Sequence, residues 1–453
     1  MQNEEKKMLR RVVISSVVGA TIEWYDFFLY GVLAGIVLNK LYFPTHDPVV
    51  STLLSYATFA VGFLARPVGG VIFGHFGDKL GRKQMLLLTI IIMGVSTVLI
   101  GLVPTYAQIG VAAPLLILLL RVLQGIGLGG EWGGAILMTY EYAKPNERGY
   151  YASLPQVGLS IGLCLATGVV ALLSRTLTDE QFMAWGWRIG FILSVVLLFV
   201  GSWIRKNVSE TPDFAKVKAK QKQAAPALPI ATMWKNYKGN VIAGLGARFI
   251  DGVFFNAFAV FSITYLTQIM HVEKSIALMG VMAASIVLMF CLPVAGHLSD
   301  KFGRPRIFMT GCFLTAASAY PAFWVWTNCA DNPLLICAAL VIPLGVFHSF
   351  VYGSIAALFA DLFKAEVRYT GISFVYQMSG IYAAGITPMV ATALLKLDDN
   401  GPYYVAAYVM FAGVISLLSA WWILRHPAQE SVEHEDEDMD PALQPAAVRV
   451  NER

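Results

Sequence analysis

The chain has 453 residues, 57% of them hydrophobic and only 14% charged, with a formal net charge of +4 and a mean hydropathy of +0.62. That composition excludes a soluble globular protein of this length, whose surface would need far more charge, and describes a chain whose solvent is mostly lipid. Five cysteines make neither a CxxC pair nor a disulfide framework: Cys164, Cys291 and Cys312 sit in apolar runs, and Cys329 and Cys337 flank a short loop.

In chain order, twelve apolar segments are each about long enough to cross a hydrocarbon layer roughly 30 Å thick. They run from Val12 to Leu38, Leu53 to Phe76, Met85 to Val103, Ala113 to Tyr142, Ser153 to Leu173 and Trp187 to Ile204. The second six run from Val241 to Met270, Ile276 to Leu298, Ile307 to Trp326, Leu334 to Phe359, Ile372 to Leu395 and Tyr403 to Leu424. The first run carries Glu23 and Asp26 and is too long for the core of a cleavable signal. An even count puts both termini on one side. Loops on that side hold Lys6, Lys7, Arg10, Arg11, Lys79, Arg82, Lys83, Lys144, Arg148, the long connection from Arg205 to Lys238, Lys301, Arg304, Arg306, Lys364, Arg368 and Arg425, whereas the opposite loops hold only Lys40, Arg175, Lys274 and Lys396, with Arg188 at the rim of the sixth segment. By the positive-inside rule both ends are expected in the cytoplasm.

The longest connection carries KVKAKQKQ, Lys216 to Gln223, soon followed by APALP, and reads as a basic, partly helical hinge. The expected organisation is a cytoplasmic N-terminus over residues 1–11, a six-helix bundle over 12–204, a linker over 205–240, a second bundle over 241–424 and an acidic tail over 425–453. The tail contains EHEDEDMD and few apolar residues, a composition that favours disorder.

Two markers divide the chain into similar halves. GHFGDKLGRKQ, Gly74 to Gln84, returns as GHLSDKFGRPR, Gly296 to Arg306, an offset of 222 residues (296 − 74). Glu141, seven residues before Arg148, returns as Asp361 seven before Arg368, an offset of 220 (361 − 141). The fold class expected is therefore an all-α polytopic membrane protein with two pseudo-symmetric six-helix bundles.

The repeated turn resembles the signature loop of the major facilitator superfamily. GATIEWYDFFLYG from Gly19, RVLQGIGLGGEWGGA from Arg121, DEQFMAWGWRIGF from Asp179, ETPDF from Glu210 and EVRYTG from Glu366 are similar to the metabolite:proton symporter family. Members of that family carry shikimate, dicarboxylates, citrate, or proline and betaine. The resemblance spans Arg11 to Arg425. It implies a latch on the cytoplasmic side in which Asp78 accepts hydrogen bonds from a neighbouring helix N-terminus and pairs with Arg82, with Gly74 and Gly81 shaping the turn. The second copy keeps Asp300 and Arg304 but has Pro305 where the first has Lys83, which predicts a lopsided latch. Glu141, Arg148, Asp361 and Arg368 lie at the same end and read as gate contacts.

The chemistry is expected from charges that lipid should exclude, since a charge at the bilayer centre costs about 2.5–3.5 kcal/mol or more. Glu23 and Asp26 lie three apart on the first helix and Arg66 about 14 residues into the second; Arg121 and Glu131 lie on the fourth, and Arg248 and Asp251 on the seventh. An arginine stays charged at any working pH, whereas a buried carboxylate can be neutralised, so Glu23, Asp26 and Glu131 are the candidate proton carriers. Arg66, Arg121 and Arg248 are candidates for attracting either those acids or an anionic solute. The alternative reading of Arg66, with Glu23 or Glu131, is a static ion pair that holds the bundle together, and that of Arg248 with Asp251 is a pair along one turn. Gln124, Gln156, Tyr376 and Gln377 offer polar and aromatic groups to a small solute or, as readily, to a helix–helix hydrogen bond. The lone His348 reads as a packed polar residue, and the glycines of GIGLGG as packing contacts.

The functional expectation is a proton-coupled symporter importing a small organic acid or zwitterion by alternating access. It needs no cofactor but the proton, no metal and no nucleic acid; its partners are a carboxylate metabolite and the bilayer, a monomer suffices, and the membrane is a bacterial inner membrane. The alternatives are an exporter, an uncoupled facilitator or a non-transporting sensor. No nucleophile elbow, nucleotide loop or metal-spaced cluster argues for an enzyme.

Overall fold

The computed structural model describes residues 2–70, 72–73, 82–129, 132–207, 229–397, 399 and 401–426. Among them, eleven helices are long and apolar enough to cross a membrane, and Leu88–Leu102 is a shorter apolar stretch. In order, α1 is Leu9–Tyr42, α2 Pro48–Gly70, α3 Arg82–Leu102, and α4 has the two pieces Ala112–Leu128 and Trp132–Tyr142. Then come α5 Pro145–Thr176, α6 Asp179–Ser202, α7 Lys238–Ile269, α8 Lys274–Phe302 and α9 Arg304–Asn328. The last three are α10 Pro333–Ala360, α11 Thr370–Leu397 and α12 Tyr403–Arg425. A short helix, Pro229–Asn236, precedes α7.

Local chemistry sets the boundaries. Asp47 caps α2 by accepting from Val49 N–H at 2.8 Å, with Pro48 in the first turn where its missing donor costs nothing. Asn332 and Pro333 start α10 the same way. Gly303, at φ +95°, makes the break between α8 and α9 that residues with a Cβ rarely adopt, and Pro305 follows in the first turn of α9.

Helices α1–α6 form one bundle and α7–α12 the other. In the first, α1 lies along α5, and α4 lies between α2 and α3; in the second, α12 packs on α7 and α9, and α10 on α8 and α9. The two meet chiefly where α5 runs along α8 and α2 along α11. α7 is buried over 94% of its most apolar stretch, while α6 is buried over only 28%, so α7 lines the centre and α6 faces outward. Wide π-type turns interrupt both α1, at Ala34–Leu38, and α7, at Ala257–Phe261. Their starts are 223 residues apart (257 − 34), so the sequence repeat extends to a backbone irregularity.

Candidate functional site

Glu23 and Asp26 are both buried on α1 but serve different surroundings. Three residues turn a helix through about 300°, so the two side chains diverge by about 60°. Asp26 points into the first bundle, where Ser194 Oγ of α6 donates to its Oδ1 at 2.6 Å. Glu23 faces the gap between bundles.

Arg121 and Gln124, expected to meet solute, line neither central cavity. α2 and α4 touch backbone to backbone: a Cβ on Gly125 would meet the Gly62 carbonyl oxygen at 2.1 Å, and one on Gly129 would meet that of Arg66 at 2.0 Å. The Arg121 guanidinium fills the space left at Gly62, donating to the Phe59 carbonyl at 3.0 Å and to Gln124 Oε1 at 2.7 Å. Gln124 passes the chain on to Thr97 Oγ1 at 2.7 Å. The rings of Phe27 and Tyr30 each lie 4.4 Å from the guanidinium carbon. This is an internal brace of the first bundle, held by carbonyl, amide and ring faces.

A first central cavity, between the bundles, is lined by Glu23, Trp24 and Arg66 from the first and by Tyr352, Tyr376 and Gln377 from the second, with Trp132 and Gln156 completing its wall. Glu23 Oε1 and Arg66 Nε and Nη2 have no hydrogen-bond partner among the described residues, although both side chains are buried. The Arg66 guanidinium lies over Phe63 at 4.1 Å, Phe27 at 4.6 Å and Trp24 at 5.2 Å. Trp132 and Tyr376 stack across the interface at 3.6 Å and 11°. Gln377 donates to the Gly129 carbonyl at 3.0 Å, and Gln156 donates to that of Tyr352; each bridges the bundles and leaves its Oε1 unpaired among the described residues. Both amides therefore make the helix–helix bond and still present an acceptor.

A second cavity shares the Trp24 and Tyr352 walls and is lined by Arg248, Asp251, Asn256 and His348. Arg248 and Asp251 pair with each other along one turn, and both line this cavity. Asp251 Oδ1 also meets His348 Nε2 at 2.8 Å. His348 is thus a member of a charged cluster, which the sequence reading missed. It missed Trp24, Trp132 and Tyr352 too; the signal available was large aromatics beside acids and glycines in mid-span.

Each cavity has about 20 Å³ of free volume, room for a water and not for an organic solute. Both approaches are shut. At the end carrying the basic loops, here called the basic end, Asp300 of α8 accepts from the Gly149 and Tyr150 N–H groups of α5 at 2.7 and 2.9 Å. Arg304 pairs with Asp300 at 3.4 Å and with Asp361, which also accepts from Tyr140 across the interface. Arg368 lies 3.8 Å from Glu141, and Arg148 lies over the Tyr140 ring at 4.8 Å.

At the opposite end Tyr56 of α2 meets Thr264 of α7 at 2.6 Å, and Gln268 donates to the Gly35 carbonyl. Lys396 bonds Asp47 at 2.7 Å and Lys274 bonds Asp179 at 3.3 Å. The bond from Lys396, with that from Val49 N–H, holds the Asp47 carboxyl below the usual carboxylate range. Among the described residues, both ends are bridged by contacts between the bundles.

Gly74, Asp78, Gly81 and Glu131 lie outside the described residues, as do most of the linker and the tail. Of Arg82 the backbone is described, as the first residue of α3.

Residues 12–230 match the family described as Sugar (and other) transporter, and residues 244–451 the Major Facilitator Superfamily. The chain is 37% identical over 412 residues to the shikimate transporter of Escherichia coli K12, covering 91% of this chain and 93% of that one. It is 41% identical over 388 residues to the inner membrane metabolite transport protein YhjE of the same organism, covering 85% and 87%. It is 33% identical to the proline/betaine transporter of Salmonella typhimurium, covering 91% and 82%. Among solved structures it resembles the xylose transporter XylE of E. coli in a partially occluded inward open conformation, with a TM-score of 0.73 at 16% identity, covering 93% and 98%.

Proposed function

The chain belongs to the major facilitator superfamily, in its metabolite:proton symporter branch, and is a solute transporter rather than an enzyme; we propose that it imports a small carboxylate together with a proton. The observation that carries this reading is the charge count of the closed chamber. Glu23, Asp251, Arg66 and Arg248 line it, two acids against two arginines, so the described chamber is balanced. A solute carboxylate brings one negative charge into a buried space, and one proton restores neutrality. Glu23 is the carrier, because its carboxylate is buried in the cavity with an oxygen unpaired among the described residues. Asp26 and Arg121 support the first bundle around it.

Relatives named for proline and betaine carry a zwitterion; once Glu23 has taken the proton, two arginines face one carboxylate, which favours an anion here. The basic end faces the cytoplasm by the positive-inside rule, in a bacterial inner membrane, as the name of the relative YhjE has it. Alternating access follows from exchanging the two closures, basic end and opposite end, around one chamber.

The test is uptake into vesicles. With an acidic exterior the protein should accumulate a monocarboxylate, an uncoupler should abolish accumulation, and the Glu23→Gln variant should retain solute exchange but lose accumulation. Uptake indifferent to the uncoupler identifies an uncoupled facilitator, and full accumulation by Glu23→Gln removes Glu23 from the role.

A further inference from the structure

Gln156 of α5 and Gln377 of α11 occupy equivalent places in the two halves, 221 residues apart (377 − 156). So do the residues they bind, Gly129 of α4 and Tyr352 of α10, 223 apart (352 − 129). Both offsets fall within the 220 to 223 of the markers that define the repeat. Each glutamine is buried and donates from its amide nitrogen to a backbone carbonyl of the other bundle, Gln377 to Gly129 at 3.0 Å and Gln156 to Tyr352. One bond is the image of the other.

Halves related by an axis along the membrane normal carry equivalent atoms at equal depth, because rotation about the normal leaves depth unchanged. The two bonds therefore lie at one level, on either side of the chamber that both glutamines line. Two points shared by two rigid bodies leave one rotation free, about the line that joins them. That line lies in the interface, parallel to the membrane, with the closures above and below it. On α5, Gly149 precedes Gln156 by about 10 Å of helix toward the basic end, where Asp300 holds it. On α2, Tyr56 precedes Arg66, whose carbonyl abuts Gly129, by about 15 Å toward the opposite end, where it meets Thr264. Rotation about the line parts one closure and presses the other together. A hydrogen bond keeps most of its strength to about 30° from linear, a glutamine can follow a tilt through its three torsions, and no rotamer change withdraws a backbone acceptor.

The geometry points to Gln156 and Gln377 as paired positioning residues of the transport cycle: their two bonds persist in conformations open at either end and fix the axis about which the bundles rock. Opening at one end is thereby tied to closure at the other, so that no continuous path crosses the membrane. The inference rests on the alternating access proposed above and adds what couples its two closures.

The experiment uses the full-length protein in lipid nanodiscs, with the native cysteines replaced and spin labels at one of two pairs of exposed positions, 144 and 306 at the basic end or 107 and 331 at the opposite end. With both glutamines present, Tyr56→Phe should lengthen the opposite-end distance and Asp300→Asn the basic-end distance, neither lengthening the other. Gln156→Met combined with Gln377→Met keeps the length of both side chains and removes both donors. That protein should show longer distances at both ends, the long population rising about fivefold for each bond removed. Each single substitution should do the same to a smaller extent, and the pair of single variants replaces the double one if the latter is not monodisperse. Distributions unchanged by the substitutions, or opening at one end alone, overturn the axis while leaving alternating access standing. Closure variants that lengthen both distances at once, with the glutamines in place, overturn the reciprocal opening itself and both readings with it.

Discussion

Asp300→Asn tests the closure of the basic end. The Asp300 side chain is only 4% exposed, and its two oxygens accept from Gly149 N–H at 2.7 Å and Tyr150 N–H at 2.9 Å, with Arg304 at 3.4 Å. Bonds to a charged group contribute about 1.5–3 kcal/mol each. Asparagine keeps one acceptor, presents an NH2 to the second N–H, and releases Arg304 to Asp361 alone. The net loss is about 2–4 kcal/mol, or roughly thirtyfold to several-hundredfold in the equilibrium. These contacts join α8 to α5 across the shut basic end, and parting the two helices there would break them, so the variant should populate conformations open at that end. Spin labels at the exposed positions 144 and 306, one on each bundle, with the native cysteines replaced, report this as a longer distance population in the variant. An unchanged distribution, or one shifted to shorter distances, refutes the assignment of Asp300 as the latch.

At the opposite end, Tyr56→Phe removes the buried hydrogen bond to Thr264 and should shift the balance toward opening there by about fivefold. Labels placed across that face of the protein read the shift, and the basic-end distance should not lengthen. Gly125→Leu inserts a side chain where even a Cβ would meet the Gly62 carbonyl at 2.1 Å; α2 and α4 cannot then pack, and size-exclusion chromatography should show little or no monodisperse protein. A well-folded, active Gly125→Leu protein would contradict the backbone contact described.

The spans and the repeat were legible because lipid leaves few choices: a crossing segment needs about 20 apolar residues and closes its own hydrogen bonds. The inventory of candidate charges was legible for the same reason, since an ionised group among such residues has to be maintained by something. Which charges share a chamber was not. Glu23 and Asp26 are near neighbours in sequence, yet one faces the gap and the other Ser194. Arg121 is as unusual in its span as Arg66, but the Gly62–Gly125 contact admits its guanidinium to the interior of the first bundle. The direction of a side chain about its helix axis depends on how neighbouring helices pack, and a single sequence specifies that only through small residues whose partners are not named. His348 was unreadable on the same ground: its partner Asp251 lies 97 residues away on another helix.

The two closures differ in kind, and the difference bears on direction. At the basic end a nearly buried carboxylate meets two backbone donors, and its arginine meets a second acid that also holds Tyr140. Groups of that type are poorly screened and keep most of their Coulomb energy. At the opposite end the neutral contacts are Tyr56 with Thr264, buried, and Gln268 with Gly35, partly buried, and the Lys396–Asp47 ion pair is half exposed to solvent. A neutral buried bond contributes about 1 kcal/mol, less than either bond to Asp300. With the chamber empty, the opposite end should therefore part first, so the unloaded protein offers the arginines and Glu23 to the side away from the basic loops. A solute carboxylate that arrives with its proton leaves the charge of the chamber balanced, and a balanced chamber can be carried to the other side without exposing an uncompensated charge to the low-dielectric walls of Trp24, Phe63 and Tyr376. Strong closure on one side and weak closure on the other fits the uptake proposed above, in which the basic end opens only after the chamber is filled.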